Sequence, residues 1–308
     1  MYGVIDIGSN TVRFLIYNYE KGRIDKILSK KYVVGLMNFV GSDRKLNEEG
    51  IRELLDVMNE CVLFRKLIRL DDIFVFATAA LRGVDNSDEI IARVRDETGF
   101  AIDLLSGAKE AEYAFDGAIS EHGGSDGVVI DIGGGSTEIV CFRNGKRISV
   151  DSVPAGTLTI YNRLISGVLP QPAEIINISQ YVERKIGMIH APVDMTGCDA
   201  YWVGGTGRAV RKIIQEIRNT SGACASHSLG EDVYDAFCVS DFLDFYTRNP
   251  NECAKVLVKY VPDRLHTIIP GVLLFSRVAR HFGLKNVLTS TGGVREGYLI
   301  DKVNNKDN

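Results

Sequence analysis

The chain has 308 residues, with 36 Lys and Arg against 40 Asp and Glu, a formal charge of −4 and a pI near 5.8. That balance excludes a non-specific binder of nucleic acid or of an anionic membrane, which needs a net basic surface. Hydrophobic residues at 45% and charged residues at 25% are the usage of a globular protein, and the length sits where single cores stop growing, so two domains are expected.

The opening residues are not a signal peptide, because Asp6 breaks the apolar run and no basic stretch precedes it. No apolar run approaches the ~18 residues of a membrane helix. Six cysteines lie scattered without a CxxC pair, so a reducing, cytoplasmic setting with buried thiols is expected. Cys224, His227 and Cys238 have the chemistry of zinc ligands, but structural zinc uses tighter paired spacings and the thiols are read as buried.

In chain order, VIDIG at 4–8 leads into Ser9-Asn10-Thr11 and the strand-like VRFLIYN. The same VIDIG returns at 129–133, 125 positions later, followed by Gly134-Gly135-Ser136-Thr137 and EIVCFRN. A period this long is no solenoid unit and marks two duplicated domains. Each copy predicts an antiparallel meander closed by a glycine turn, at Lys21-Gly22 and Asn144-Gly145. After the first, Asn47 predicts the cap of a helix to about Leu70, with Ile51, Leu54, Leu55, Met58 and Val62 on one face. IFVFAT at 73–78 predicts a strand buried on both faces. Asn86 with Glu89 predicts a capping box, and Gly99 the end of that helix. HGGSD at 122–126 predicts the boundary between the halves. In the second half, Ala200–Val203 leads into Gly204-Gly205-Thr206-Gly207 and a helix from Arg208, and Val287–Thr291 into Gly292-Gly293 and a helix from Val294. Meander, then strands alternating with helices, twice over, gives α/β in two lobes with a cleft between them.

Four turns thus leave apolar strands through small residues, at 8–11, 133–137, 204–207 and 291–293. Glycine, serine and threonine there turn several N–H groups one way with few Cβ atoms in front, which makes a nest for phosphate oxygens. Two of them open helices, whose N-termini favour anions. No GxxxxGK[ST] is present, and Val210 stands where a dinucleotide fold needs glycine or alanine. Asp6, Asp131 and Glu138 stand beside the repeated loops as candidate ligands for Mg²⁺, shared with substrate phosphates and water.

DIGSNTVR at 6–13, ATAALRGVDN at 77–86, SGAKEA at 106–111, DIGGGSTE at 131–138, GGTGR at 204–208 and REGYL at 295–299 together resemble the exopolyphosphatase and guanosine pentaphosphate phosphohydrolase (Ppx/GppA) family, in its short two-domain form. That family lies within the actin, sugar-kinase and heat-shock-chaperone ATPase superfamily. The resemblance implies two duplicated ribonuclease H-like (actin-like ATPase) domains with an interdomain cleft. Residues 1–122 form the first, with 296–308 packing back on it, and 123–295 the second. It implies Mg²⁺-dependent release of terminal phosphate from inorganic polyphosphate or pppGpp, with Glu110 as catalytic base and Asp131 and Glu138 in the catalytic centre. Phosphate-binding positions are Gly8, Ser9, Asn10, Thr11, Arg13 and Arg82, then Gly133, Gly134, Gly135 and Ser136, and finally Gly205, Thr206, Arg208 and Arg295. Asp6, Asp131 and Glu138 remain the metal candidates. Two departures stand out: Lys109 replaces the usual acidic residue before the catalytic Glu, and VVGLMNFVG at 33–41 lacks the charge of the family's RLGEGL.

A non-catalytic polyphosphate or nucleotide sensor and an ATP-dependent small-molecule kinase of the same fold are the alternatives. No nucleic-acid or membrane partner is expected, and a homodimer is left open. Polyphosphate and pppGpp end in the same phosphoanhydride, so the motifs do not choose between them.

Overall fold

The computed structural model describes residues 1–20, 22–189, 194–221 and 233–306. The chain divides into two compact units, Met1–Glu110 with Arg295–Asn308, and Ala111–Val294.

In the first unit β1 (Tyr2–Ile7), β2 (Thr11–Glu20) and β3 (Arg23–Val33) form the meander. β4 (Asp72–Ala77) and β5 (Ile102–Leu104) add in parallel, giving the order β3-β2-β1-β4-β5. One face is covered by α1 (Glu48–Leu67) and α3 (Ser87–Thr98), with the short α2 (Ala79–Arg82) after β4. Asn47 caps α1 as expected, its Oδ1 accepting from the Gly50 N–H at 2.9 Å, and Ile51, Leu54, Leu55 and Met58 are buried along one stripe. Gly99 ends α3 at φ 74, again as expected. The capping box at its start does not form. Asn86 instead bonds both the N–H and the C=O of Leu46, each at 3.0 Å, so a tertiary tie outcompetes the local cap.

The second unit repeats the plan with β6 (Gly127–Ile132), β7 (Thr137–Arg143), β8 (Lys146–Val153), β9 (Asp199–Val203) and β11 (Asn286–Thr289); β10 (Val233–Asp235) joins the β11 edge. Val128, Ile130 and Ile132 of β6 face the core with α5 (Thr157–Leu164), α6 (Pro172–Ile186), α7 (Gly204–Ser221), α8 (Phe237–Arg248), α9 (Pro250–Tyr260) and α10 (Leu265–Phe282). Val129 faces the other way, onto α4 (Gly107–His122). A strand covered on both faces reads as a continuous apolar run, hence VVIDI. This packing also moves the division of the chain. Ala111, Ala114, Phe115 and Ala118 of α4 bury against Val129, Val140 and Phe142, so the HGGSD segment is a turn inside the second unit and the division falls at Glu110/Ala111.

The duplication extends to details no motif displays. Asp6 stands opposite Arg13, and Asp131 opposite Glu138. The Gly8 N–H donates to Thr11 O at 3.0 Å and the Gly133 N–H to Ser136 O at 2.9 Å. Each second strand carries a register shift at the same place, between Ile16 and Tyr17 in β2 and between Cys141 and Phe142 in β7. Among the described residues no helix is long and apolar enough to cross a membrane. Cys224 and His227 lie outside the described residues, and Cys238 is buried.

Candidate functional site

Because β1, β4 and β5 run parallel, the segments that follow them leave one edge of the first sheet together. The Thr78 N–H donates to Ile7 O at 3.3 Å and the Leu105 N–H to Ala77 O at 2.9 Å, which sets the Gly8–Thr11 turn, α2 and the start of α4 side by side. Ser106 caps α4, its Oγ accepting from the Lys109 N–H at 3.2 Å, and Glu110 follows in the first turn. Arg82, at the end of α2, donates to Leu105 O at 2.8 Å and to Glu110 Oε2 at 3.0 Å. Glu110 is 8% exposed, so its carboxylate is buried but held by a cation, the arrangement that makes burying a charge tolerable.

The two repeated turns owe their shape to neighbours. In the second unit the first three N–H groups of α5 point at the turn. Thr157 donates to Gly133 O at 2.9 Å, Leu158 to Gly134 O at 2.9 Å and Thr159 to Gly134 O at 3.1 Å. These are donors that a helix start leaves without intrahelical partners. In the first unit the same work is done by the Gly35 N–H on Asn10 O at 2.9 Å and the Met37 N–H on Ser9 O at 3.2 Å, with Gly35 at φ 67. With the carbonyls pinned, the N–H groups of Ser9, Asn10, Gly134 and Gly135 have no protein acceptor among the described residues. A run of backbone donors turned one way is an anion nest.

The carboxylates beside the nests differ. Asp6 Oδ2 accepts from Arg295 Nε at 2.7 Å, and Tyr17 donates to Glu296 Oε1 at 2.5 Å. Burial works to lower the Arg295 pKa, yet Asp6 and Glu296 outweigh it and hold the guanidinium above its ordinary value. Burial and Glu296 together push Tyr17 up. Asp6, expected as a metal ligand, thus pairs through Oδ2 with the Nε of Arg295, the residue expected on phosphate. In the second unit two acids face each other across the strand pair, and Glu138 Oε1 also accepts from Ser152 at 2.9 Å. Like charges directly opposite destabilise a sheet unless a cation joins them. Among the described residues no three His, Cys, Asp or Glu side chains form a metal cluster. Asp131 and Glu138 still fit Mg²⁺, which takes one or two carboxylates and completes its shell with phosphate and water.

The third glycine turn opens a helix as expected, whereas the fourth is taken up by a side chain of the chain itself. Gly204–Gly207 are the first turn of α7 itself, with Gly204 at φ 93 and beside Asp131. Thr206 is 4% exposed and packs on Gly271, so its side chain is not displayed. Over Gly205 lies the guanidinium of Arg264, a residue no motif announced. Burial lowers its pKa, opposed by Asp263. Arg208 Nη1 donates to Ser290 O at 2.9 Å, bracing the fourth turn. That turn is already filled, by Glu121: Ser290 Oγ at 2.6 Å, Thr291 N–H at 2.8 Å, Thr291 Oγ1 at 2.6 Å and Gly292 N–H at 2.7 Å all donate to its carboxylate.

A profile of the Ppx/GppA phosphatase family matches residues 15–306. Exopolyphosphatase 1 of Mycobacterium leprae is 26% identical over 310 residues, covering 99% of this chain and 90% of that protein. The guanosine-5′-triphosphate,3′-diphosphate pyrophosphatase of Photobacterium profundum is 29% identical over 164 residues, 53% of this chain and 33% of that protein. The crystal structure of the Aquifex aeolicus Ppx/GppA family member superposes with a TM-score of 0.81 at 24% identity, covering 100% of this chain and 98% of that one. An exopolyphosphatase structure from Cytophaga hutchinsonii gives 0.78 at 19% identity, covering 99% of this chain and 98% of that one. These structures carry the actin-like two-domain fold.

The pinned turns give a direct test. A Cβ at Gly156 would stand 2.6 Å from Gly135 N and push the second nest out of shape. Gly156→Ala is expected to weaken tripolyphosphate binding at least about tenfold in titration calorimetry, a loss of ~1.4 kcal/mol. Unchanged affinity would mean that the nest takes no phosphate.

Proposed function

The chain belongs to the Ppx/GppA phosphatase family and is a hydrolase of phosphoanhydrides; we propose that it removes the terminal phosphate of inorganic polyphosphate or pppGpp by a water that Glu110 deprotonates. The observation that carries this reading is the pair of nests whose N–H groups are turned outward by pinned carbonyls, each beside an aspartate at the end of the same VIDI strand.

Phosphoryl transfer asks a protein to position groups and neutralise charge rather than to form covalent bonds. The Ser9, Asn10, Gly134 and Gly135 N–H groups take non-bridging oxygens. Arg82 orients Glu110 through the 3.0 Å ion pair and stands ready for the charge that develops on the transferred group. Water oxygen bonds to the terminal phosphorus while the bridging P–O bond breaks. The proton passes to a Glu110 oxygen, and the electron pair leaves on the shortened chain. When bound, Mg²⁺ held by Asp131 and Glu138 supplies charge neutralisation of phosphate oxygens. Arg264, whose guanidinium lies over Gly205 at the start of α7, is a further cation for phosphate oxygens.

The test is phosphate release from long polyphosphate, short polyphosphate and pppGpp, each without an acceptor and with and without Mg²⁺. Release is expected, and a strict need for an acceptor alcohol or acid would make the protein a kinase instead. Glu110→Gln is expected to stay folded, with a lowered thermal midpoint from the lost Arg82 ion pair, and to keep tripolyphosphate binding while kcat falls about 10²–10⁴-fold, the worth of a general base. A fall of less than about tenfold would remove Glu110 from that role.

A further inference from the structure

The segment that pins the first phosphate turn is no strand of the sheet, and what holds it in place is used by none of the steps above. Gly35 and Met37, whose N–H groups secure the carbonyls of Asn10 and Ser9, lie at a single 3₁₀ turn, Leu36–Phe39. That turn runs into a small hairpin. Val40 bridges Leu46, the Gly41 N–H donates to Lys45 O at 3.0 Å, and the Asn47 N–H donates to Phe39 O at 3.0 Å. The far arm of the hairpin is stitched to the connector between α2 and α3. There the Asp85 N–H donates to Arg44 O at 2.9 Å. The Asn86 side chain supplies the next rungs, its Oδ1 accepting from the Leu46 N–H and its Nδ2 donating to Leu46 O, each at 3.0 Å. An amide that gives one hydrogen bond and takes another stands in for a strand residue. Leu46 is buried, so without Asn86 both of its backbone groups lose a partner where water does not replace it. Asn86 opens α3 without capping it, and Arg82, which orients Glu110, stands four residues earlier. All of these residues belong to the first unit.

We propose that Asn86 is a positioning residue for the hydrolytic site: its amide locks the hairpin that supports the Ser9–Asn10 nest to the connector that carries Arg82, and so fixes the spacing between the two. The nest takes phosphate oxygens, and Arg82 orients the base that deprotonates water. A slack clamp lets the phosphate drift from the group that aims water at it. The proposal rests on the hydrolytic reading, in which both groups act.

The test compares Asn86→Ala and Asn86→Asp with the parent in the full chain. Aspartate caps a helix as well as asparagine does, but its carboxylate has no proton to give Leu46 O. A role confined to starting α3 therefore predicts a parent-like Asn86→Asp, whereas the clamp predicts that both variants lose about 10–100-fold in kcat for phosphate release. Placed on Glu110→Gln, the same substitutions should cost less than about threefold, because the base whose aim they spoil is already gone. Amide hydrogen exchange reads the clamp without any substrate. Gly35 and Met37 should exchange at least about tenfold faster in both variants, while Leu158 and Thr159, which pin the second turn, stay within about threefold of the parent. Parent-like kcat in either variant, a full additional loss on Glu110→Gln, or equal acceleration at all four amides overturns the proposal. If Asn86→Ala does not fold, Asn86→Asp decides by the same readouts. Absence of phosphate release by the parent defeats the hydrolytic reading. Parent release with unchanged exchange at Gly35 and Met37 in the variants defeats the clamp alone.

Discussion

The structure depends on how the carbonyl groups of two short turns are held. A Gly/Ser turn offers a phosphate its N–H groups only if its C=O groups point elsewhere and are satisfied there. In the second unit the donors are the first amides of α5, which a helix start would otherwise leave unpaired. In the first unit they come from the segment after β3, through Gly35 and Met37. Two unrelated pieces of chain thus do one job, which places the constraint in the geometry of the turn rather than in the supporting sequence. The departure of VVGLMNFVG from the family pattern is intelligible on this basis: backbone amides supply the support, and Leu36 is free to sink into the core at 1% exposed.

Duplication supplied two such turns, and divergence at one matched position separated their chemistry. Across from Asp6 stands Arg13, and Arg295 completes a cationic surround for that carboxylate. Across from Asp131 stands Glu138. The same strand pair, with the same turn and the same register shift, therefore presents an acid opposite an arginine in one copy and two acids in the other.

Much of this was legible in the sequence because the repeat is local. VIDIG with its turn, the Asn47 cap and the Gly99 stop each depend on a few adjacent residues, and each forms as read. The resemblance in the motifs located Glu110 and Arg82 but not their ion pair, which joins residues 28 apart. What the sequence hid was long-range. Asn86 looks like a helix cap until Leu46, 40 residues away, claims its amide. The GGTG run looks like a loop, yet it is the first turn of a helix whose glycines make room for Trp202 and Arg264. Gly292-Gly293 looks like a phosphate nest until Glu121, 170 residues earlier, is found in it. Glycine announces close approach of something, but its neighbour in space decides whether that is a ligand, a ring or the chain itself.

The Gly8–Thr11 and Gly133–Ser136 turns are proposed to take phosphate through their backbone N–H groups, whereas the Ser290–Gly292 turn donates to Glu121. Backbone amide resonances followed while tripolyphosphate is added test it most directly. The account predicts saturable shifts at Ser9, Asn10, Gly134 and Gly135 with those of Thr291 and Gly292 unmoved. Shifts confined to Thr291 and Gly292, with the two repeated turns silent, would contradict it.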